Sequence, residues 1–213
     1  MAITRPRFDR QKHSEFLKTL KQRVNQYFDQ KKISKYGNWK LFFKTVFMLS
    51  LFLTPYFFIV TGFIENYWII IALWAIIGVG KSGIGLSVMH DANHGVLSKH
   101  KFINRIMEST MNFVGGNSSM WKTKHNVLHH TFTNVDGHDD DINAPLFLRF
   151  SPHTPLKKIH RYQHYYAWFM YSLLTLMWIT YSDFSSVFSF KKQGLIKDNK
   201  EFAWEFSQVT LWK

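Results

Sequence analysis

The sequence predicts an all-α protein: multi-pass transmembrane helices with a cytoplasmic helical cap that carries clustered histidines. Three observations predict it. Long uncharged apolar runs recur along the 213 residues. The excess of Lys+Arg over Asp+Glu, 27 against 14, lies outside those runs. Histidines gather in i, i+4 pairs, one of them directly after an apolar run, where a continuing helix would put both rings on one face.

Residues 1–40 form a basic arm and residues 41–213 a membrane domain. The arm holds 11 Lys/Arg and 3 acids, or +8 of the formal net charge of +13. Within it Phe16, Leu17, Leu20, Val24, Tyr27 and Phe28 share a helical face, a basic amphipathic pattern. Such a face suits an anionic membrane surface, or docks on the protein's own body. Residues 45–64 follow, 20 residues without a charge. At ~1.5 Å per residue they span about 30 Å, the hydrocarbon thickness of a bilayer, and Pro55 is tolerable inside such a helix. Glu65 and Asn66 make a short turn, and residues 67–89 are again apolar, broken once by Lys81. Two adjacent runs of this length read as a helical hairpin across the membrane. A third run, residues 165–181, is uncharged and has Trp and Tyr toward both ends. Its 17 residues are short for a span, so it reads as a third crossing or as a re-entrant or in-plane helix.

The hairpin puts residues 1–40 and 90–164 on one side. Both are rich in Lys and Arg, whereas the 65–66 turn has none, so the positive-inside rule makes that side cytoplasmic. Lys191, Lys192, Lys197 and Lys200 would then lie outside if the third run crosses. The absence of cysteine excludes disulfides, thiolate metal sites, iron–sulfur clusters and a cysteine nucleophile. Charge alone would suggest nucleic acid, but no nucleic-acid motif is present and such a domain does not explain a 20-residue uncharged run. Gly80-Lys81-Ser82 imitates the end of a P-loop, but Ala75 stands where its first glycine belongs. Gly78, Ser82, Gly83 and Ser87 are expected instead to let helices pack closely.

His90-Asp91-Ala92-Asn93-His94 ends the second run, and His125-Asn126-Val127-Leu128-His129-His130 follows about 30 residues later. Each contains an i, i+4 pair, and His130 lies one position round, able to reach a neighbouring centre. Imidazole suits iron, zinc, copper and nickel. Five imidazoles without a thiolate are too many for one tetrahedral zinc, so two metals are the simpler reading. Asp91, Asn93 and Asn126 are candidates to orient the rings, or simply to cap helix ends. His164 is a candidate further ligand or a structural hydrogen-bonder. Asp136 and Asp139–Asp141 read as a solvated loop before a cation site. His13, His100, His138, His153 and His160 read as surface or loop residues. Asn117-Ser118-Ser119 fits a glycosylation sequon but falls on the cytoplasmic side.

HDANHG at 90–95, WKTKHNVLHHTFTN at 121–134, DGHDDDINAP at 136–145 and HRYQHYYAW at 160–168 resemble the membrane fatty-acid desaturase family, the histidine-box di-iron enzymes, close to its acyl-lipid and front-end branch. The likeness covers most of the chain from about residue 40. It implies that His90, His94, His125, His129 and His130 ligate iron, and that two iron ions activate O2. It implies electrons from an external donor of ferredoxin or cytochrome b5 type. It further implies that a fatty acyl substrate, linked to CoA or to lipid, receives a cis double bond. A related di-iron hydroxylase or ketolase shares these boxes, and a His-rich metal-binding membrane protein is the rival of another class. Lys81, the one charge within the spans, counts against the latter. The family's third box, HxxHH or QxxHH, has no counterpart after His164. The chain is therefore expected to be an N-terminal portion of a desaturase, inactive by itself.

Overall fold

The computed structural model describes residues 6, 9, 14–143 and 147–213. Most of the first 13 residues of the arm, His13 among them, and Ala144 and Pro145 of the DGHDDDINAP stretch lie outside the described residues. Among those described there is helix and loop but no strand. They group into two compact units, divided at residues 107 and 108.

The first unit opens with α1 (Ser14–Lys31), which has no buried residue. A short link leads to α2 (Trp39–Val60), whose first turn is capped by the Asn38 side chain accepting from the Lys40 and Leu41 amides. The chain turns at Gly62, in the left-handed region at φ 69°, and re-enters as α3 (Tyr67–Gly83), where Asn66 repeats the same capping. A π-helical turn (Ile84–Val88) and α4 (Met89–Asn93) prolong α3 without a break, giving an apolar helix of 27 residues. Among the described residues α2 and the α3–α4 run are long and apolar enough to cross a membrane.

These two helices form an antiparallel hairpin whose register is fixed at several levels. The Gly37 amide donates to the Val96 carbonyl at the open end, and Lys44 reaches Asp91 one turn in. Further along, Gly83 abuts Met48 and Gly80 abuts the Leu51–Phe52 backbone. A β-carbon on Gly80 would stand 2.6 Å from the Phe52 amide nitrogen, so glycine is required for this close approach. The small-residue expectation thus holds at Gly83 but moves from Gly78, which faces open space, to Gly80. Ser82 and Ser87 bond back to the carbonyls of Gly78 and Gly83.

α5 (Lys101–Phe113) leads into the second unit. There α6 (Ser118–Lys122) continues through a second π turn (Thr123–His129) into α7 (His130–Phe132). Asn117 does not behave as an exposed sequon residue: it is buried, and its side chain caps α6 by accepting from the Ser119 and Met120 amides. After a 3₁₀ turn (Lys158–Tyr162) come α8 (Gln163–Ser172), α9 (Leu174–Met177), a third π turn (Trp178–Ser182) and α10 (Asp183–Lys192), then α11 (Asn199–Leu211). The core of this unit is Met120, Leu128, Val187, Phe190, Ile196 and Val209. It clamps the α6–α7 run between α10 and α11. Each such side chain contributes about 1.5–3 kcal/mol on burial.

The 165–181 run is not one regular helix. It is interrupted at Leu173 and widened into a π turn at 178–182, and no residue of α8 or α9 is buried. Hydroxyls explain part of this: Ser172 bonds back to the Phe169 carbonyl and Thr180 to that of Leu176, competing with the backbone ladder.

Candidate metal centre

In the first unit the HDANHG segment ends the long helix. At ~1.5 Å per residue about 20 residues match the ~30 Å thickness of a hydrocarbon layer, so this helix of 27 residues exceeds that thickness by about seven, and His90 and Asp91 lie in its last seven residues. The helix stops because Gly95 adopts φ 70°: its amide donates to the Ala92 carbonyl and the Val96 amide to that of Asp91, an αL glycine termination. The glycine of HDANHG is thus what leaves His94 at the helix end. The His90 and His94 rings meet edge to face with centroids 4.7 Å apart. Asp91 Oδ1 lies 3.4 Å from His90 Nδ1, and Asp91 Oδ2 faces Lys44 at 3.5 Å. Asp91 is therefore placed to orient His90. Asn93 instead turns back into its own helix, donating to the Met89 carbonyl, and is buried there.

In the second unit the HNVLHH segment lies in the second π turn, anchored by Leu128 in the core. On an α-helix residues five apart stand about 140° from each other. The wider π turn removes most of that offset. His125 and His130 consequently face each other, Nε2 to Nε2 at 3.2 Å. His130, expected one position round and directed elsewhere, joins the same cluster. His125 is stacked between Trp121, at 4.3 Å between centroids, and His129, at 5.4 Å. Trp121 fixes the plane of this imidazole, a contact that residue spacing alone did not single out.

The acidic run is also not a solvated loop. Asn134 at φ 61° and Gly137 at φ 75° fold the chain back so that Asp139 is fully buried against His129. His129 Nδ1 lies 3.0 Å from Asp139 Oδ1 and 3.1 Å from Asp141 Oδ2. Asp139 also accepts from the amides of Asn134, at 2.8 Å, and Asp141, at 3.0 Å. Burial raises the Asp139 carboxyl, but the hydrogen bonds from Asn134, His129 and Asp141 outweigh it and hold the group below the usual carboxylate range. Asp140 goes the other way: burial raises it, opposed by Lys124 and reinforced by its acidic neighbours.

Imidazoles in i, i+4 boxes, without a thiolate, are donors that suit iron, zinc, copper and nickel. His125, His129 and Asp141 present donor atoms within 4.8 Å of one another. The Nε2 pair of His125 and His130 and the carboxylate-held Nδ1 of His129 are what a metal-binding imidazole cluster requires. His164 is exposed on α8, its ring against Tyr165. His160, expected at the surface, is buried and accepts from the Lys157 amide.

The model of the fatty acid desaturase family matches residues 66–211. The chain is 36% identical over 163 residues to the sn-1 linoleoyl-lipid 6-desaturase of Arthrospira platensis, covering 76% of this chain and 44% of that protein. Against the sn-1 linoleoyl-lipid 6-desaturase of Synechocystis sp. the identity is 29%, covering 87% and 50%. Against the acyl-lipid (8-3)-desaturase of Physcomitrium patens it is 32%, covering 83% and 37%. The chain spans half or less of the length of these curated relatives. No solved structure matches it.

Proposed function

The chain belongs to the fatty acid desaturase family, and from that premise we propose that it serves a membrane enzyme which places a cis double bond in a lipid-linked acyl chain. Two iron ions are its metals, O2 its co-substrate and a separate ferredoxin or cytochrome b5 type protein its electron source. The bound di-iron centre would supply the oxidising power to remove hydrogen from an unactivated C–H bond, which no side chain can do. The residues that would hold it are His90, His94, His125, His129 and His130. Asp91 and Asp139 keep His90 and His129 in a fixed orientation, and Trp121 does the same for His125. The observation that carries the reading is the His125–His130 pair, with Nε2 atoms 3.2 Å apart beside a His129 held by a buried carboxylate.

The hairpin of α2 and α3–α4 is read as two crossings, with both boxes on the cytoplasmic side. Lys and Arg flank its open end while the 61–66 turn carries one acid and no base. Two irons at ~4–5 donors each take roughly eight to ten, so the five imidazoles supply only part of the set. Relatives named as acyl-lipid desaturases support a lipid-linked substrate.

The test has two arms. Iron content of the chain in detergent should fall sharply in His125→Ala and His130→Ala while the helical content stays. The gene carrying this chain, expressed in a host without the corresponding activity, should yield new cis-unsaturated acyl lipids. A hydroxylated product would replace the reading with a hydroxylase, and unchanged iron in both variants would remove the ligand assignment.

A further inference from the structure

We propose that α1 lies in the plane of the membrane, on the side of the histidine boxes, with its apolar face in an anionic lipid surface. Taken at about 100° per residue, Phe16, Tyr27, Leu20, Val24, Leu17 and Phe28 fill an arc of roughly 120°. Lys21 borders that arc on one edge and Arg23 on the other, and Lys31 lies within it at the last turn. The two acids, Glu15 and Asp29, stand on the far side together with Lys18. Charge is therefore sorted around the helix, with cations at the boundaries where long side chains can reach lipid phosphates, and carboxylates farthest from them.

The apolar face is uncovered. No residue of α1 is buried, and Phe16, Leu17, Leu20, Val24 and Tyr27 are each 45–65% exposed. Within its own unit, no described residue buries this face, which is not the pattern of a docked helix, the alternative left open by residue pattern. A soluble helix that exposes five large apolar side chains in one stripe needs a cover. The flanking cations select an anionic one.

The attachment supplies the second argument. Only residues 32–38 separate α1 from α2, and at ~3.5 Å each they reach about 25 Å at most. Lys32 and Lys35 add charge along this link, and Lys35 folds over the Phe28 ring and onto Asn25. α2 then begins with Trp39, 73% exposed, a residue suited to the interface. The register contacts Gly37–Val96 and Lys44–Asp91 put this end of α2 beside the end of the helix that carries His90. In-plane α1 would then lie on the same bilayer surface as the first box.

The proposal rests on α2 entering the bilayer, and the test separates the two. The chain contains no cysteine, so single cysteines at Val24, Gln22 and Phe42 can be labelled with an environment-sensitive fluorophore without background. The full chain is reconstituted in nanodiscs of brominated phosphatidylcholine, with and without phosphatidylglycerol. The Phe42 label, on α2, should be quenched in both; its failure would refute the α2 crossing instead. With phosphatidylglycerol the Val24 label should shift to the blue and be quenched, while the Gln22 label, opposite the apolar arc, stays water-like. Combined Lys21→Glu and Arg23→Glu should abolish the Val24 response and leave Phe42 unchanged. A Val24 label that is water-like in both discs overturns the proposal. So does one that is shielded from water but unquenched by brominated lipid, the signature of docking on protein or on a second copy.

Discussion

Replacing Asp139 with asparagine removes one negative charge from a buried site and leaves its shape unchanged. Asp139 is ionised and so can only accept. With His129 Nδ1 3.0 Å away, the ring must carry its hydrogen on Nδ1 and leave the Nε2 lone pair for a metal. The same carboxylate takes the Asn134 and Asp141 amides, so both of its oxygens are occupied. An asparagine has one accepting oxygen and an NH2 group. If its oxygen serves His129, the Asn134 amide loses its acceptor. If its NH2 faces His129, the ring must accept at Nδ1 and its hydrogen moves to Nε2, the wrong tautomer for ligation. Losing an outer partner of a metal-binding histidine typically costs 10–100-fold in metal affinity, about 1.4–2.7 kcal/mol. Loss of one hydrogen bond to the charge would separately lower stability by about 1.5–3 kcal/mol. The assay is competitive titration of the detergent-purified chain with Fe(II) and a chelator, alongside nitrogen NMR of labelled histidine to read the tautomer. Asp141→Asn, at a half-exposed partner, should have the smaller effect. Equal affinity and an unchanged Nε2 lone pair in a folded Asp139→Asn variant would refute the reasoning.

Three further outcomes follow from the packing. Gly80→Ala should weaken the α2–α3 hairpin by about 1–3 kcal/mol because the new carbon meets backbone, Gly83→Ala less because flexible Met48 can move, and Gly78→Ala should be neutral or stabilising by up to ~1 kcal/mol; equal effects in a bicelle unfolding assay would contradict the crossing point. Asp183→Ala should cost about 3–5 kcal/mol in chemical denaturation, since it removes the carboxylate from a buried Lys213 ammonium, which keeps the Gly115 carbonyl, and leaves the Asn117 amide without its acceptor; a loss below about 1 kcal/mol would show the pair to be solvated. Burial, partly opposed by Ser119 and reinforced by Glu201, raises the Glu205 carboxyl, and its Oε2 has no hydrogen-bond partner among the described residues. A raised folded value means stability is greatest below the unfolded carboxylate range and is lost as pH rises through the folded value, so Glu205→Gln should flatten that decline and raise the melting temperature at neutral pH; an unchanged melting profile between acid and neutral pH would count against it.

The hairpin was legible because its signal is compositional: uncharged runs of bilayer length, separated by an Asn cap that announces the second helix. The histidine pairs were legible for the same reason that their partners were not. An i, i+4 spacing belongs to the helix period, whereas the π winding that turns His130 onto His125 leaves no mark in hydrophobic periodicity. Asp139 was hidden in an acidic run, where solvent exposure is the ordinary outcome. The signal that could have found it is the pair Asn134 and Gly137, two residues suited to left-handed backbone that reverse the chain toward the preceding helix. The 165–181 run shows the limit of hydropathy. Apolar content measures affinity for lipid, but says nothing about whether Ser172 and Thr180 will interrupt the ladder.

A π turn holds one residue more than an α turn in about the same axial stretch, so the second box can lose its donor geometry with no change of composition. Rewinding residues 123–129 as plain α-helix would set His125 and His130 about 140° apart with every imidazole still present. Removing one of residues 126–128 instead would make them an i, i+4 pair on an α turn, which again share one face. A longer, π-wound version of this segment and a shorter, α-wound one can therefore present the same pair, and comparing relatives here at fixed spacing would miss the equivalence.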